Sequence, residues 1–338
     1  MMCALIRIAI AAILGITASS ASAQTLNTIK QRGILNCGAN GTLAGFGAPD
    51  AQGRWTGFDV DFCRAIAAAI FNDPNKVKFV PLSAKDRFTA LQSGEVDVLV
   101  RNTTWTSSRD TTLGLNFTGI TYYDHQAFMV RKALQVKSAL ELNDAAVCVQ
   151  QGTTTELNLA DYFRARKMKL KTVTFAGADE AIKAYDSKRC DAYTTDASGI
   201  RSEMRKLVNP DEHVILDDVI SKEPLGPAVR QGDDQWFDIV KWVHFAMLTA
   251  EEFGVTKANV DEQFKSDIPD LKRLLGTEGK HGEGLGLTND WAYRIIKHVG
   301  NYGEVFERNL GQGSALKLPR GYNALWSKGG LQYAPPIR

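Results

Sequence analysis

The sequence predicts an α/β chain folded as two lobes. Strand-like apolar runs alternate with segments of helical period, the grammar of parallel βαβ units. The second half repeats that grammar. One local pattern recurs: a helix end, a polar turn and a strand with Asp at its second position. It is written first as Gln92-Ser93-Gly94-Glu95-Val96-Asp97 and again as Asp186-Ser187-Lys188-Arg189-Cys190-Asp191.

Ile34 to Ala39 reads as the first strand, followed by a Gly-rich loop to Gly53. From Gly57 to Phe71, Phe58, Phe62, Ile66, Ala69 and Ile70 recur at helical intervals, with Cys63 on the same inner face, and Asn72-Asp73-Pro74 ends the helix. A strand at Val77 to Leu82, a helix around Asp86 to Gln92 and a strand at Val96 to Val100 complete the first series. The second series has a strand at Ala145 to Gln150 and a helix opened by Thr153 and Glu156 at capping-box spacing. It continues with a strand at Lys171 to Phe175, a helix at Asp179 to Tyr185 and a strand from Cys190 to Thr194. Links between lobes are expected near Ala127 to Arg131 and near Leu225 to Arg230. Helices at Asp234 to Phe253 and Val260 to Lys265 return to the first lobe. A Gly-rich linker, Gly276 to Leu287, leads to an extension with a helix near Asp290 to Val299 and an irregular end from Trp326. The expected division is 24–130 plus 226–270 for lobe 1, 131–225 for lobe 2 and 271–338 for the extension.

The 338 residues suffice for two domains, and 44% hydrophobic with 23% charged residues is ordinary for a soluble globular protein. A net charge of +2 gives no electrostatic case for nucleic acid or an anionic membrane. At the N-terminus, Arg7 precedes an apolar run from Ile8 to Thr17, and Ala21-Ser22-Ala23 has the A-x-A form of a signal-peptide cleavage site. The expected signal is 1–23, cleaved after Ala23, and the mature chain is exported and soluble.

Export leaves Cys37, Cys63, Cys148 and Cys190, an even number in an oxidising compartment. Four cysteines allow three connectivities. Their distribution, one pair early and one late, favours Cys37–Cys63 and Cys148–Cys190, with four buried thiols as the alternative. No C-x-x-C pair, H-E-x-x-H or G-x-S-x-G occurs, and Gly282-Glu283-Gly284-Leu285-Gly286 lacks nucleotide-loop spacing. No metal or cofactor is expected.

The chemistry concentrates in Val98 to Arg109. An apolar strand runs into Thr104 and Thr106, which share a face while Trp105 points oppositely toward lobe packing. Thr106 is placed to cap a helix, with Ser107 and Ser108 in its first turn and Arg109 just inside. Hydroxyls, free helix N–H groups and a forked guanidinium suit a small carboxylate. The competing reading is an ordinary strand-to-helix turn with a solvated Arg.

Gly57-Phe58-Asp59-Val60-Asp61, Thr104/Thr106 with Arg109, Gln151-Gly152-Thr153-Thr154 and Cys190-Asp191-Ala192-Tyr193-Thr194-Thr195-Asp196 resemble the polar-amino-acid solute-binding proteins of ABC transporters (solute-binding protein family 3). The likeness spans about Thr25 to Ala250. Arg101 to Arg109 and the C-terminal Asp290 to Arg294 and Ala334 to Arg338 look like the general L-amino-acid-binding branch. The resemblance implies a type II periplasmic binding fold with two hinge strands. Its lobes close over one free amino acid, and the monomer delivers that ligand to a membrane permease from the periplasm. It implies that Arg109 grips the α-carboxylate with Thr104, the N–H of Thr106 and Thr154, and that Asp196 accepts the α-ammonium beside a carbonyl near Asn102. Phe46 matches an aromatic that packs on the ligand. Ala84 stands where a second aromatic is common, which opens the pocket. Arg87 matches an arginine that reads acidic side chains, or is a solvated helix residue. Asn40 replaces the other arginine of that acidic branch, so exclusive aspartate/glutamate specificity is not expected. The alternative is a clamp-fold enzyme such as a dehydratase, for which only Asp196 and Glu180 offer proton-transfer groups. A receptor's sensor module needs a membrane span and a signalling domain after the clamp, and the sequence to Arg338 carries neither.

Overall fold

The computed structural model describes residues 25–338, so the expected signal peptide, 1–23, lies outside the described residues. Two five-stranded sheets form the two lobes. In the first, Leu35–Ala39 pairs parallel with Val77–Pro81 from Leu35↔Val77 to Ala39↔Pro81, and with Val98–Leu99 on its other side. Ala228–Arg230 then pairs antiparallel with Val98–Leu99 and with Leu115–Phe117. In the second, Ala146–Gln150 pairs parallel with Lys171–Phe175 and Ala192–Asp196, while Gln126–Arg131 runs antiparallel between Ala192–Asp196 and His213–Ile215.

The inner strands of both sheets are buried on two faces, and alternate residues sort accordingly. Val98 and Val100 join one core cluster while Leu99 joins another. In lobe 2, Ala127, Met129 and Tyr193 pack on one side, and Phe128, Val130 and Ala192 on the other. The repeated Asp pattern has a shared structural role. Asp97 Oδ2 accepts the Asn36 N–H at 2.7 Å, and Asp191 Oδ2 accepts the Ala146 N–H at 2.8 Å. In each lobe the carboxylate fastens the start of a neighbouring strand.

Phe58–Phe71 forms the expected helix and stops at Asn72, whose φ of 55° is left-handed. Cys63 on this helix bonds Cys37 on the central strand (Cα–Cα 6.3 Å), and Cys148 bonds Cys190 (5.7 Å). By loop length each bridge stabilises the lobe by about 3–4 kcal/mol in the chain-entropy account. Gly57 must be glycine: its φ is 134°, and a Cβ there would sit 2.1 Å from the Phe46 carbonyl oxygen.

The sheet topology moves two expected boundaries. Gln126–Arg131 belongs wholly to the second sheet, so the expected link at Ala127 to Arg131 lies inside lobe 2 and the bound at 130 overruns lobe 1. The crossings are Tyr122–Asp124 and Glu223–Leu225, an antiparallel pair with Glu223 opposite Asp124. The Gly276 to Leu287 stretch is packed, not a loose linker. It contains a short helix, His281–Gly284, and buries Leu285 and Leu287.

The extension docks on lobe 1 and the hinge. Trp291, Ile295 and Phe306 enter the same core as Phe58, Phe62 and Ile66. Tyr302 donates its hydroxyl to the Thr121 carbonyl at 2.8 Å, and Asn323 holds Tyr123 in the hinge strand. On the lobe 2 side, Arg205 donates to the Ala315 carbonyl at 3.0 Å. No helix among the described residues is long and apolar enough to cross a membrane.

Candidate ligand-binding cleft

The lobes meet in a closed arrangement. Ser202 donates to the Ala44 carbonyl at 2.9 Å, and Lys206 to the Thr42 carbonyl at 3.1 Å, both from lobe 2 to lobe 1. At the mouth a cavity of about 230 Å³ remains, lined by Asn40, Ser83 and Arg101 on one side and Gln150 and Asp179 on the other.

Strand Val98–Leu99 aims the next residues at the lobe boundary. Thr106 caps helix Ser107–Thr112 as expected, its Oγ1 accepting the Arg109 N–H at 3.3 Å. Arg109 is 8% exposed, and its Nη1 donates to the Thr104 carbonyl at 2.8 Å. That bond fixes the guanidinium beside the Thr104 backbone. Trp105 stacks on Phe117, centroids 5.8 Å apart, and so serves packing.

Thr154 comes from the other lobe. Thr153 caps its helix, the Thr153 Oγ1 accepting the Glu156 N–H at 3.1 Å. The Glu156 side chain returns to the Gly152 N–H at 2.8 Å, one residue before the position a reciprocal capping box uses. Thr104 and Thr154 meet with Oγ1 atoms 3.2 Å apart.

Asp196 ends the strand Ala192–Asp196 and starts the helix Ala197–Met204 without capping it through its side chain. It is 7% exposed. Burial, then the carboxylates of Glu223 and Asp124, push its pKa well up, while Arg87 and Arg109 pull it down. Burial lowers Arg109, and Glu223 and Asp196 oppose that. The expected cation and anion, one per lobe, therefore act on each other across the boundary.

Two other expected residues fall differently. Asn102 lies at φ 32°, with its N–H on Asp59 Oδ2 at 2.7 Å and its Oδ1 on Asn40 Nδ2 at 2.9 Å. Phe46 is fully buried, its ring edge-on to Tyr122 at 5.3 Å and to Phe58 at 6.4 Å. Its ring packs edge-on against these lobe 1 aromatics in the closed form. The solvated-helix reading of Arg87 fails: the residue is 3% exposed, and its Nη1 takes Thr103 Oγ1 at 3.3 Å while its Nε meets no partner.

The sequence reading missed Glu223, Asp59 and Arg101. Glu223 is fully buried on the second hinge strand and accepts hydrogen bonds from both Thr104 and Thr154. Asp59 is carried by burial up to about 7, against the pull of the Asn102 N–H and Arg101. Arg101 donates its Nε to the Leu82 carbonyl at 2.8 Å, and burial lowers it to about 10. The available signal was a charged residue directly after an apolar run (Arg101) or two residues before a predicted crossing (Glu223). No cluster of His, Cys, Asp and Glu among the described residues is arranged to hold a metal ion.

A fixed cation and a fixed anion from opposite lobes, with hydroxyls between, can hold a small zwitterion. The comparisons with known proteins agree with that geometry. The model for bacterial extracellular solute-binding proteins, family 3, matches residues 35–255. Over 97% of both chains the protein is 64% identical to the general L-amino acid-binding periplasmic protein AapJ of Rhizobium johnstonii. It is 55% identical, again over 97% of both chains, to the glutamate/glutamine/aspartate/asparagine-binding protein BztA of Rhodobacter capsulatus. An ABC transporter periplasmic binding protein from Brucella ovis, solved with glutathione bound, is 61% identical. It superposes with a TM-score of 0.92 over 94% of this chain and 100% of that one. The chain belongs to the bacterial extracellular solute-binding proteins, family 3, and has their two-lobed type II fold.

Proposed function

We propose that this chain captures free L-amino acids of several kinds between its lobes and passes them to the permease of an ABC importer. The observation that carries the reading is the pair Arg109 and Asp196, buried, opposite in charge and contributed by different lobes. Desolvating both charges costs several kcal/mol, about what a ligand bearing the two complementary charges offsets. Such a ligand joins the lobes and thereby favours the closed state. Main-chain recognition leaves the side chain loosely read, and Arg87, with its unpartnered Nε, favours acidic and amide side chains within a broad set. AapJ, BztA and the glutathione-bound Brucella protein carry names consistent with such breadth.

The mature chain starts after Ala23, works in the periplasm as a monomer, and uses Arg109 and the Thr106 N–H at the carboxylate end and Asp196 at the ammonium end. The enzyme alternative falls away, because the relatives that match nearly the whole chain are transport binding proteins. Calorimetric titration of the mature chain with a panel of amino acids tests the reading. Glutamine, glutamate, asparagine and aspartate are expected to bind tightly and small neutral amino acids more weakly. No binding by any of them, or equal binding of amines that lack a carboxylate, overturns it.

A further inference from the structure

We propose that Glu223 is a positioning residue that takes the hydroxyl protons of Thr104 and Thr154, making that pair an acceptor site that admits a primary ammonium and refuses a carboxylate. The inference rests on the reading of the cleft as an amino-acid site and assigns a hinge residue a part in its selectivity.

Glu223 lies on the crossing strand Glu223–Leu225, between the lobes and fully buried. Its Oε2 accepts from Thr104 Oγ1 of lobe 1 at 2.6 Å and from Thr154 Oγ1 of lobe 2 at 2.8 Å. Its Oε1 accepts from Asn158 Nδ2 at 2.8 Å and from Ser221 Oγ at 2.6 Å. All four donors are neutral. An ionised carboxylate only accepts, and a hydroxyl has one proton to give. Each threonine has therefore spent its proton on Glu223, and what it turns elsewhere is a lone pair.

The 3.2 Å separation of the two threonine oxygens follows the same accounting. With both protons on Glu223 neither hydroxyl donates to the other, and the adjacent lone pairs need an outside donor. A ligand carboxylate finds no proton there. A primary ammonium, with three N–H groups, can supply the two threonine oxygens and Asp196 together. Its charge also offsets the Glu223 carboxylate, which disfavours ionisation of Asp196. The carboxylate end is left to Arg109 and backbone N–H groups, which removes the Thr104 and Thr154 hydroxyls from the carboxylate role carried over from the family pattern.

The test compares three probes on the full mature chain: L-glutamine, its des-amino analogue 4-carbamoylbutanoate and its decarboxylated analogue 4-aminobutanamide. Affinities are measured for the native chain and for Glu223→Gln, with thermal melting to confirm folding. The glutamine amide places a donor against one hydroxyl, which must then turn its proton toward the cleft. The native preference for glutamine over the des-amino analogue is expected to shrink about tenfold or more, as a charge-assisted contact is lost. The preference over the decarboxylated analogue is expected to stay within about threefold. If both preferences hold while all affinities fall together, Glu223 is merely structural and the proposal is overturned. If Glu223→Gln does not fold, Thr154→Val and Thr104→Val read the same two preferences. Under the proposal they too narrow the first and spare the second. A loss confined to the carboxylate preference overturns it. A native chain that binds no amino acid defeats the proposed function, whereas a native chain that binds normally with unmoved preferences defeats this inference alone.

Discussion

Asn323 brackets Tyr123. Its Oδ1 accepts the Tyr123 N–H at 2.7 Å, and its Nδ2 donates to the Tyr123 carbonyl at 3.1 Å. One side chain of the C-terminal extension thus satisfies both backbone groups of a residue 200 positions earlier, in the strand where the chain crosses between lobes. Asn323 is 4% exposed, so removing its amide strands two main-chain groups. Asn323→Ala is expected to lower unfolding free energy by about 1–3 kcal/mol, read from the urea midpoint. An unchanged midpoint would show that water replaces the amide without loss.

Arg109→Ala should weaken glutamine binding by about 100-fold or more, because it leaves the ligand carboxylate without its cation. Arg109→Lys should restore only part of that loss, since an ammonium cannot reproduce the forked pair of donors. Titration calorimetry decides, and an affinity that survives the alanine would mean that the carboxylate sits elsewhere.

Arg87 is the side-chain reader in this account. Arg87→Met keeps bulk beside Phe88, where the guanidinium carbon now lies 4.9 Å from the ring centroid, and removes the charge. Glutamate affinity is expected to fall about tenfold relative to alanine affinity. Equal losses for the two ligands would assign Arg87 to structure instead.

Asp59 links stability to pH. Burial lifts its carboxyl from 3.8 to about 7, so the folded chain keeps a proton that the unfolded chain gives up across that interval. The contribution is fully present below 3.8 and is lost as pH rises through about 7. Asp124, lifted by burial to about 6, acts in the same direction. Asp59→Asn keeps an acceptor for the Asn102 N–H and cannot titrate. The variant should therefore lose less stability than the native chain between about pH 4 and about pH 7, as measured by urea unfolding at both ends. Parallel curves for the two proteins would place the Asp59 proton elsewhere.

Much of this molecule is legible from local chemistry. The Phe58–Phe71 helix shows in the spacing of its apolar residues, and Thr106 and Thr153 announce the helices they cap. Arg109, Asp196, Thr104 and Thr154 come together because the segments following strands Val98–Leu99 and Ala146–Gln150 and the end of Ala192–Asp196 meet at the lobe boundary. What was hidden depends on partners far away in sequence. Gln126–Arg131 is an apolar strand that either lobe could house, and only its pairing with Ala192–Asp196 decides. Phe46 sits in a Gly-rich loop without helical or strand patterning, so its burial is not written in its neighbours. The Asp59 N–H on its carbonyl at 3.0 Å and the absent side chain at Gly57 draw that loop into the core. Glu223 beside Pro224 reads as a solvated connection until four donors from both lobes are seen around it.

The single bond from Arg205 to the Ala315 carbonyl has a practical use. The extension is fastened to lobe 1 and to the crossing strand, so opening of the mouth is expected to part positions 205 and 315. Dyes attached there would form an optical gauge of jaw angle, able to follow each capture and release in real time without disturbing the grip it reports.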